Sequence, residues 1–437
     1  MVEVGEGVDL KMSSSNCLAW NHQMDEALGK TQNLSKAAEK ISFANTLRVL
    51  EAFRLHQVSE VHFGTTTGYG YGDMGREKLD QVWATVFGAE AALVRSQFVS
   101  GTQALSTALF GCLRPGDLLL SATGKPYDTL QSVIGHETPQ VGSLHEWGIQ
   151  YDEIDLLDDG TPDWEGLSHY LKREVKPRVV LIQRSRGYSS RPALTVELIG
   201  KICAFIHDQS PETICFVDNC YGEFVEELEP TMVGADLMAG SLIKNPGGGL
   251  APTGGYLCGR ADLVEACSYA LTAAGLGSDM GSSNLEQRLY FQGLFQAPQV
   301  VFQAIQSMIF ASCLFEGAGF QVDPLPQDGR SDIIQSILLG DPEQVIAFCQ
   351  GLQAYSPINS HVSPIPSGLP GYADAVIMAA GTFIQGASIE ISADAPMREP
   401  YTVYLQGGMV FAHSVWALLS ALERVQKVGK GEDSVVK

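Results

Sequence analysis

Two stretches decide how this chain is read: ICFVDNCYGEF, from Ile214 to Phe224, and AGSLIKNPGGGLAPTGGYLCG, from Ala239 to Gly259. In the first, an apolar run of the kind a parallel strand buried on both faces needs stops at Asp218. That delivers a carboxylate to the carboxyl edge of a sheet, where α/β proteins gather their ligands. An aspartate that only caps a loop would leave the same trace. In the second, Lys244 follows an apolar approach and precedes Pro246 and three glycines, so no helix runs through it and the lysine is held on a loop. Desolvation in this apolar setting is expected to lower its pKa and make the amine nucleophilic.

Outward from these segments, strand-like runs recur at AALV (91–94), DLLLS (117–121), RVVLI (178–182) and GYLC (255–258), with helix-period segments between them. Such alternation predicts an α/β fold with a mainly parallel sheet and helices on both faces. Towards the N-terminus, Ile41, Ala44, Leu47, Leu50 and Phe53 recur at helical spacing and lead to a glycine-rich loop, FGTTTGYGYGDMG, from Phe63 to Gly75. Beyond residue 300 the pattern changes. A helical stretch from Pro298 to Leu314 gives way to a proline-richer segment, the strand-like ADAVIMAA and ASIEIS, and a final helix near Met409 to Val428. The expected organisation is a helical arm over 1–60, a large domain over 61–300 and a smaller C-terminal α+β domain over 301–437.

The 437 residues include 28 Lys and Arg against 50 Asp and Glu, a net charge of −22 that argues against nucleic acid or anionic membrane as partner. Any phosphate must then be held by local donors. No apolar run approaches the ~20 residues that span a bilayer, and no apolar signal segment opens the chain. The nine cysteines form no CxxC pair, so neither a disulfide framework nor a thiolate metal site is expected, and the reading is a reduced, cytoplasmic protein. A Walker A loop and a strand-led GxGxxG are absent. Ser241 with Lys244 spells S-x-x-K, but NPGGG breaks the helical turn that motif needs, and neither S-D-N nor K-T-G occurs.

A third segment, SGTQALSTAL from Ser100 to Leu109, opens a helix directly after a strand-like run. Its first amide groups and the positive end of its dipole suit an anion, although Ser100 could equally be a plain N-cap. An anion-binding helix start, a strand-end Asp218 and, 26 residues on, a loop Lys244 together meet the needs of pyridoxal phosphate. Its phosphate needs amides, its ring nitrogen a carboxylate, and its aldehyde an amine.

From about residue 60 onward the chain resembles the fold-type I pyridoxal-phosphate enzymes of cysteine and methionine metabolism. Most closely it resembles the branch called methionine gamma-lyase-like or aluminium resistance proteins. The resemblance rests on GYGYGDMGREKL (68–79), SGTQAL (100–105), QRSRGYSSRP (183–192), VDNCYGEF (217–224), GSLIKNPGGG (240–249) and SADAPMREPYTVYLQGG (392–408). It implies a fold-type I transferase-like architecture with a seven-stranded type of sheet, and a carbon–sulfur lyase acting on a sulfur-containing amino acid. An aminotransferase on the same fold and a pyridoxal-phosphate-binding protein with a non-catalytic, stress-related role are the alternatives. It further implies that Lys244 binds the cofactor covalently, Asp218 pairs with its ring nitrogen, Gly101, Thr102 and Ser241 hold its phosphate, and Tyr127 stacks on its ring. Ile243 stands where related lyases often have a second hydroxyl, with Asn245 or the QRSRG arginines as compensation.

Tyr69, Tyr71 and Arg76 are the implied reach from a neighbouring subunit in a homodimer, the minimal unit of an implied tetramer. Arg398 is the candidate for the substrate carboxylate, with Arg184, Arg186 and Arg191 as alternatives. Glu390 is a departure in the strand where the lyases carry that arginine. His136, His145 and His361 read as isolated residues, and Cys220 as a possible lining residue.

Overall fold

A computed structural model describes residues 14–283, 287–368 and 374–431, with the side chains of 14–21 left aside. The first thirteen residues of the expected N-terminal arm lie outside the described residues. Seven strands build the large sheet: β1 (Ala91–Arg95), β2 (Leu118–Ser121), β3 (Gln150–Glu153), β4 (Pro177–Gln183), β5 (Ile214–Asp218), β6 (Leu237–Ser241) and β7 (Gly255–Gly259). Their order is β1-β7-β6-β5-β4-β2-β3, and only β7 runs antiparallel to its neighbours. The expected α/β fold with a mainly parallel seven-stranded sheet is what the chain forms.

The apolar runs are continuous because both faces are covered. Val180, Ile182, Cys215, Val217 and Met238 point into one core, while Val179, Leu181, Ile214, Phe216 and Leu237 point into the other. Two strands escape the pattern. β3 is a polar edge strand, QYDE, and β6 reads LMAGS, where small residues mask a strand whose five residues are all buried.

A second sheet follows: β8 (Gln321–Asp323), β9 (Ile334–Leu338), β10 (Val376–Ala379), β11 (Ser392–Pro396) and β12 (Thr402–Gln406), in the antiparallel order β10-β11-β12-β9-β8. The expectation of a strand at ASIEIS is corrected. Ser388–Glu390 is a 3-10 turn, and the strand begins at Ser392. Glu390 is the reason: its carboxylate accepts the amides of Phe383 at 2.8 Å and Ile384 at 2.9 Å, folding the preceding loop around itself. The helix Arg288–Gly317 joins the two sheets. It is long and apolar enough to cross a membrane, yet 67% of its most apolar window is buried inside the protein, which makes it a core helix.

The N-terminal helix Lys36–Leu55 forms as its period requires, but it turns the other way. Its inward face is Ser42, Asn45, Val49 and Ala52, and the apolar stripe expected to be buried leaves Leu47 and Leu50 exposed beside Phe43. Specific polar bonds set this orientation. Asn45 Nδ2 donates to the carbonyls of Phe224 at 3.0 Å and Glu226 at 3.1 Å, and Ser42 Oγ donates to Pro298 O at 3.1 Å.

Candidate active site

β5 ends at Asp218 and β6 at Ser241, side by side, so the turns that follow both strands open at one edge of the sheet. After β5 the chain bends sharply through Tyr221 and Phe224, both at positive φ, 72° and 62°. Non-glycine residues adopt that region rarely, and such strain gathers at functional sites. After β6, Lys244 precedes the short 3-10 turn Asn245–Gly247. The glycines there are obligatory. A Cβ on Gly247 would lie 1.7 Å from Leu242 O, and one on Gly248 would lie 2.3 Å from Gly293 O in the long helix.

Lys244 is half-buried against these turns, with its Nζ 3.8 Å from the centroid of the Tyr221 ring. Burial works against its ammonium form, but Cys220, Tyr221 and Asp218 outweigh burial and hold it above the ordinary lysine value. The expected lowering of its pKa is therefore reversed in the free amine, because the loop brings acidic groups to it along with the apolar ones. Asp218 accepts the amide of Cys220 at 3.1 Å. Burial raises its carboxyl, with Lys244 the foremost opposing influence.

The helix Gly101–Cys112 points its start at the same place. Ser100 is an N-cap, its Oγ accepting the Gln103 amide at 3.1 Å, which leaves the amides of Gly101 and Thr102 as the first-turn donors without a partner inside the helix. A Cβ on Gly101 would lie 3.1 Å from Ser241 Cβ and 3.8 Å from Cys220 Sγ, so the helix start rests directly on the ends of β5 and β6. Thr102 Oγ1 meets Thr129 Oγ1 at 2.7 Å, which ties in the next helix, Asp128–Ile134, with Tyr127 at its head. The Tyr127 amide donates to Gln183 Oε1 at 2.7 Å, at the end of β4 beside Asp218. Gly101, Thr102, Tyr127, Asp218, Ser241 and Lys244 thus converge. Such a site can hold an anion at the helix start, keep a ring nitrogen protonated at Asp218 and bind an aldehyde at Lys244.

Among the candidate arginines, Arg191 acts electrostatically on Asp218, and the others are committed elsewhere. Arg184 is fully buried and committed to Asn219 at 2.8 Å, Glu226 at 2.9 Å and Glu229 at 3.7 Å, a clamp beneath the β5 turn. Arg186 pairs with Asp323 across the seam to the second sheet. Arg191 donates to the carbonyls of Gln183 and Ser185, and burial lowers its pKa to about 10. Arg398 is exposed, pairs with Asp374 at 2.9 Å and lines a separate cavity of about 590 Å³. Arg76, expected to reach across an interface, is buried in its own loop, where it donates to the carbonyls of Gly70, Gly281 and Asp279. Tyr69 and Tyr71 remain exposed on that loop. Asn245 turns away from the helix start to donate to Glu223 O at 3.1 Å, and Ile243 packs against the Gly386 turn. His136 is not isolated, since it stacks edge-on with His145 and lies against Tyr151.

Several groups escaped the sequence reading. Tyr188 stacks between Tyr127 and Tyr404, with centroids 5.6 and 5.3 Å away. Asp394 on β11 accepts Gln406 Nε2 at 2.8 Å and interacts electrostatically with Lys244. Glu223 lies fully buried beneath the lysine loop. Tyr188 stood inside the quoted QRSRGYSSRP, and Asp394 and Gln406 inside the quoted SADAPMREPYTVYLQGG, so their segments were in view; what the sequence did not show is that the second sheet turns these side chains towards Lys244.

The family model described as methionine gamma-lyase matches residues 20–426. An uncharacterized protein of Bacillus subtilis strain 168, YnbB, is 51% identical over 395 residues, covering 90% of this chain and 93% of its own. The crystal structure of a carbon–sulfur lyase involved in aluminium resistance from Clostridium novyi NT is 48% identical. It superposes with a TM-score of 0.89 over 96% of this chain and 100% of its own. The pyridoxal-5'-phosphate-dependent protein YhfS of Escherichia coli, 17% identical with a TM-score of 0.60, shares the fold over 89% of this chain and 96% of its own.

Proposed function

Because the chain belongs to the methionine gamma-lyase family, we propose that this lyase uses pyridoxal phosphate to break a carbon–sulfur bond in a sulfur-containing amino acid. The observation that carries this reading is the meeting of the Gly101 helix start with Ser241, between Asp218 and Lys244. The cofactor, when bound, supplies a protonated ring that takes up the electron pair released at the substrate's alpha carbon. Amides of Gly101 and Thr102 with Ser241 would hold its phosphate, and Asp218 would keep its ring nitrogen protonated. Tyr127 would cover its ring. Lys244 Nζ would take the alpha proton and hand it to the departing sulfur. The carbon–sulfur bond breaks with its electrons leaving on sulfur, and water converts the residual unsaturated amine to a 2-oxo acid and ammonia. Thiol, 2-oxo acid and ammonia therefore appear in equal amounts.

The proposed assembly is a homodimer in which Tyr69 and Tyr71 approach the neighbour's site, an arrangement that suits the exposed apolar face of the Lys36–Leu55 helix. The test is purification with pyridoxal phosphate, borohydride reduction and peptide mapping, together with a substrate panel scored for thiol and 2-oxo acid. Label on Lys244 and equal release of both products are expected. Label elsewhere, for instance on Lys125 or Lys201, overturns the site, and 2-oxo acid without thiol marks transamination instead.

A further inference from the structure

The wall that the second sheet turns towards Lys244 carries an acid and no base. Along β11, Ala393 and Ala395 point into the core while Asp394 points out. Along β12, Val403 and Leu405 point in while Tyr404 points out, cross-strand from Asp394. Asp394 receives the Gln406 amide at 2.8 Å and lies within the electrostatic reach of Tyr188, the ring packed between Tyr127 and Tyr404. Burial raises its carboxyl to about 6, against the pull of Tyr188, Gln406 and Lys244, so at neutral pH it is mostly charged. The strands β9, β11 and β12 contain no Lys, Arg or His; the cation recorded as acting on Asp394 is Lys244 itself, while Arg186 pairs with Asp323 and Arg398 with Asp374.

Two residues further along the same face of β11, Pro396 lines the cavity of about 590 Å³. A two-residue step along a strand is roughly 7 Å, so that cavity begins about one side chain's length beyond Asp394. Its cations are already paired, Lys125 with Glu137 at 2.6 Å and Arg398 with Asp374 at 2.9 Å. Asp128 and Glu153 have no ion-pair partner among the described residues. The cavity that starts further along β11 thus carries more acidic than basic side chains, as the face at Asp394 does.

A half-buried carboxylate covered by a neutral apolar ligand loses water and gains nothing in return, whereas an ammonium group placed against it restores the lost interaction. Resting on the lyase reading above, we propose that the preferred substrate is a cysteine thioether whose departing arm ends in a cationic group, and that Asp394 receives that group. Asp394 is in this respect the residue that sets specificity; the bond-breaking chemistry stays with Lys244.

The experiment compares S-(2-aminoethyl)-L-cysteine with S-propyl-L-cysteine, which replaces the terminal ammonium by a methyl group of similar size, using the cofactor-loaded full chain. A charge-assisted contact of this kind is expected to favour the aminoethyl compound by roughly tenfold to a hundredfold in kcat/KM, expressed mainly in KM. Asp394→Asn keeps the shape and the Gln406 contact, and the preference should collapse towards one. Equal rates on the two thioethers in the wild type, or a preference that survives in Asp394→Asn, overturns the proposal. Cleavage of other sulfur amino acids with neither thioether accepted also overturns it, while leaving the lyase reading intact. If no amino acid releases thiol or changes the cofactor's absorbance, the lyase reading fails and this inference with it.

Discussion

Replacing Glu223 by glutamine should stabilise the protein at alkaline pH and leave it almost unchanged in mild acid. Glu223 lies fully out of solvent. Its Oε1 accepts the Tyr256 hydroxyl at 2.7 Å, and its Oε2 meets no donor among the described residues. Strand β6 closes over it, since a Cβ on Gly240 would come within 2.6 Å of Oε1. Burial pushes the carboxyl from 4.5 to about 8; the Tyr256 bond and Lys244 pull it down, and Glu229 pushes it further up. Between these two values the folded chain holds a proton that the unfolded chain has released. Stability is therefore greatest below pH 4.5 and falls as the pH rises through 8, by an amount on the order of 5 kcal/mol when complete.

Glutamine has no proton to lose, keeps an acceptor for Tyr256 and supplies a donor in place of Oε2. Thermal melting of wild type and Glu223→Gln, without cofactor and at one scan rate from pH 5 to pH 9, should show curves that nearly meet at pH 5. They should separate progressively, with the variant higher. A difference that does not change with pH, or a variant less stable at pH 9, refutes the protonated carboxyl.

Three further outcomes follow from the site. Asp218→Asn should keep most of the cofactor absorbance while losing most turnover, because a neutral amide does not hold the ring nitrogen protonated; near-normal turnover removes Asp218 from that role. Gly247→Ala puts a methyl where the Leu242 carbonyl stands, 1.7 Å away, so the lysine loop must move. A lowered melting temperature and poor cofactor retention should appear together. Lys244→Ala and Tyr71→Ala chains, each inactive alone, should regain activity when unfolded and refolded together, since one site of a mixed dimer is then intact; a dead mixture of well-formed oligomers rules out the shared site.

The strands that could be read were those whose burial on two faces leaves an unbroken apolar run, as in β4 and β5, and this periodicity carries over any ligand chemistry. β3 and β6 were hidden for opposite reasons. An edge strand keeps polar residues because one side stays wet, and β6 uses Ala239, Gly240 and Ser241 because Glu223, Tyr256 and the Gly101 helix start crowd it. The Lys36–Leu55 helix shows the limit of amphipathic reasoning. Period 3.6 located the helix, but its rotation was set by Ser42 and Asn45, whose carbonyl partners lie at Pro298, Phe224 and Glu226, far along the chain.

The same division runs through the site. The placements of Lys244, Asp218 and Gly101 were legible because each is fixed by its own local backbone: a loop that cannot be helix, the end of a strand, the start of a helix. The arginines were not, because a guanidinium's role depends on which carboxylate or carbonyl reaches it first, and in a chain of net charge −22 a buried arginine seldom lacks one. Arg184 meets Glu226 and Glu229, Arg186 meets Asp323, and Arg398 meets Asp374, while Arg76 ties its own loop to the carbonyls of Asp279 and Gly281. With those cations committed, the second sheet faces Lys244 with Asp394. The search for a base to meet the substrate leads, in this fold, to an acid set beside Lys244.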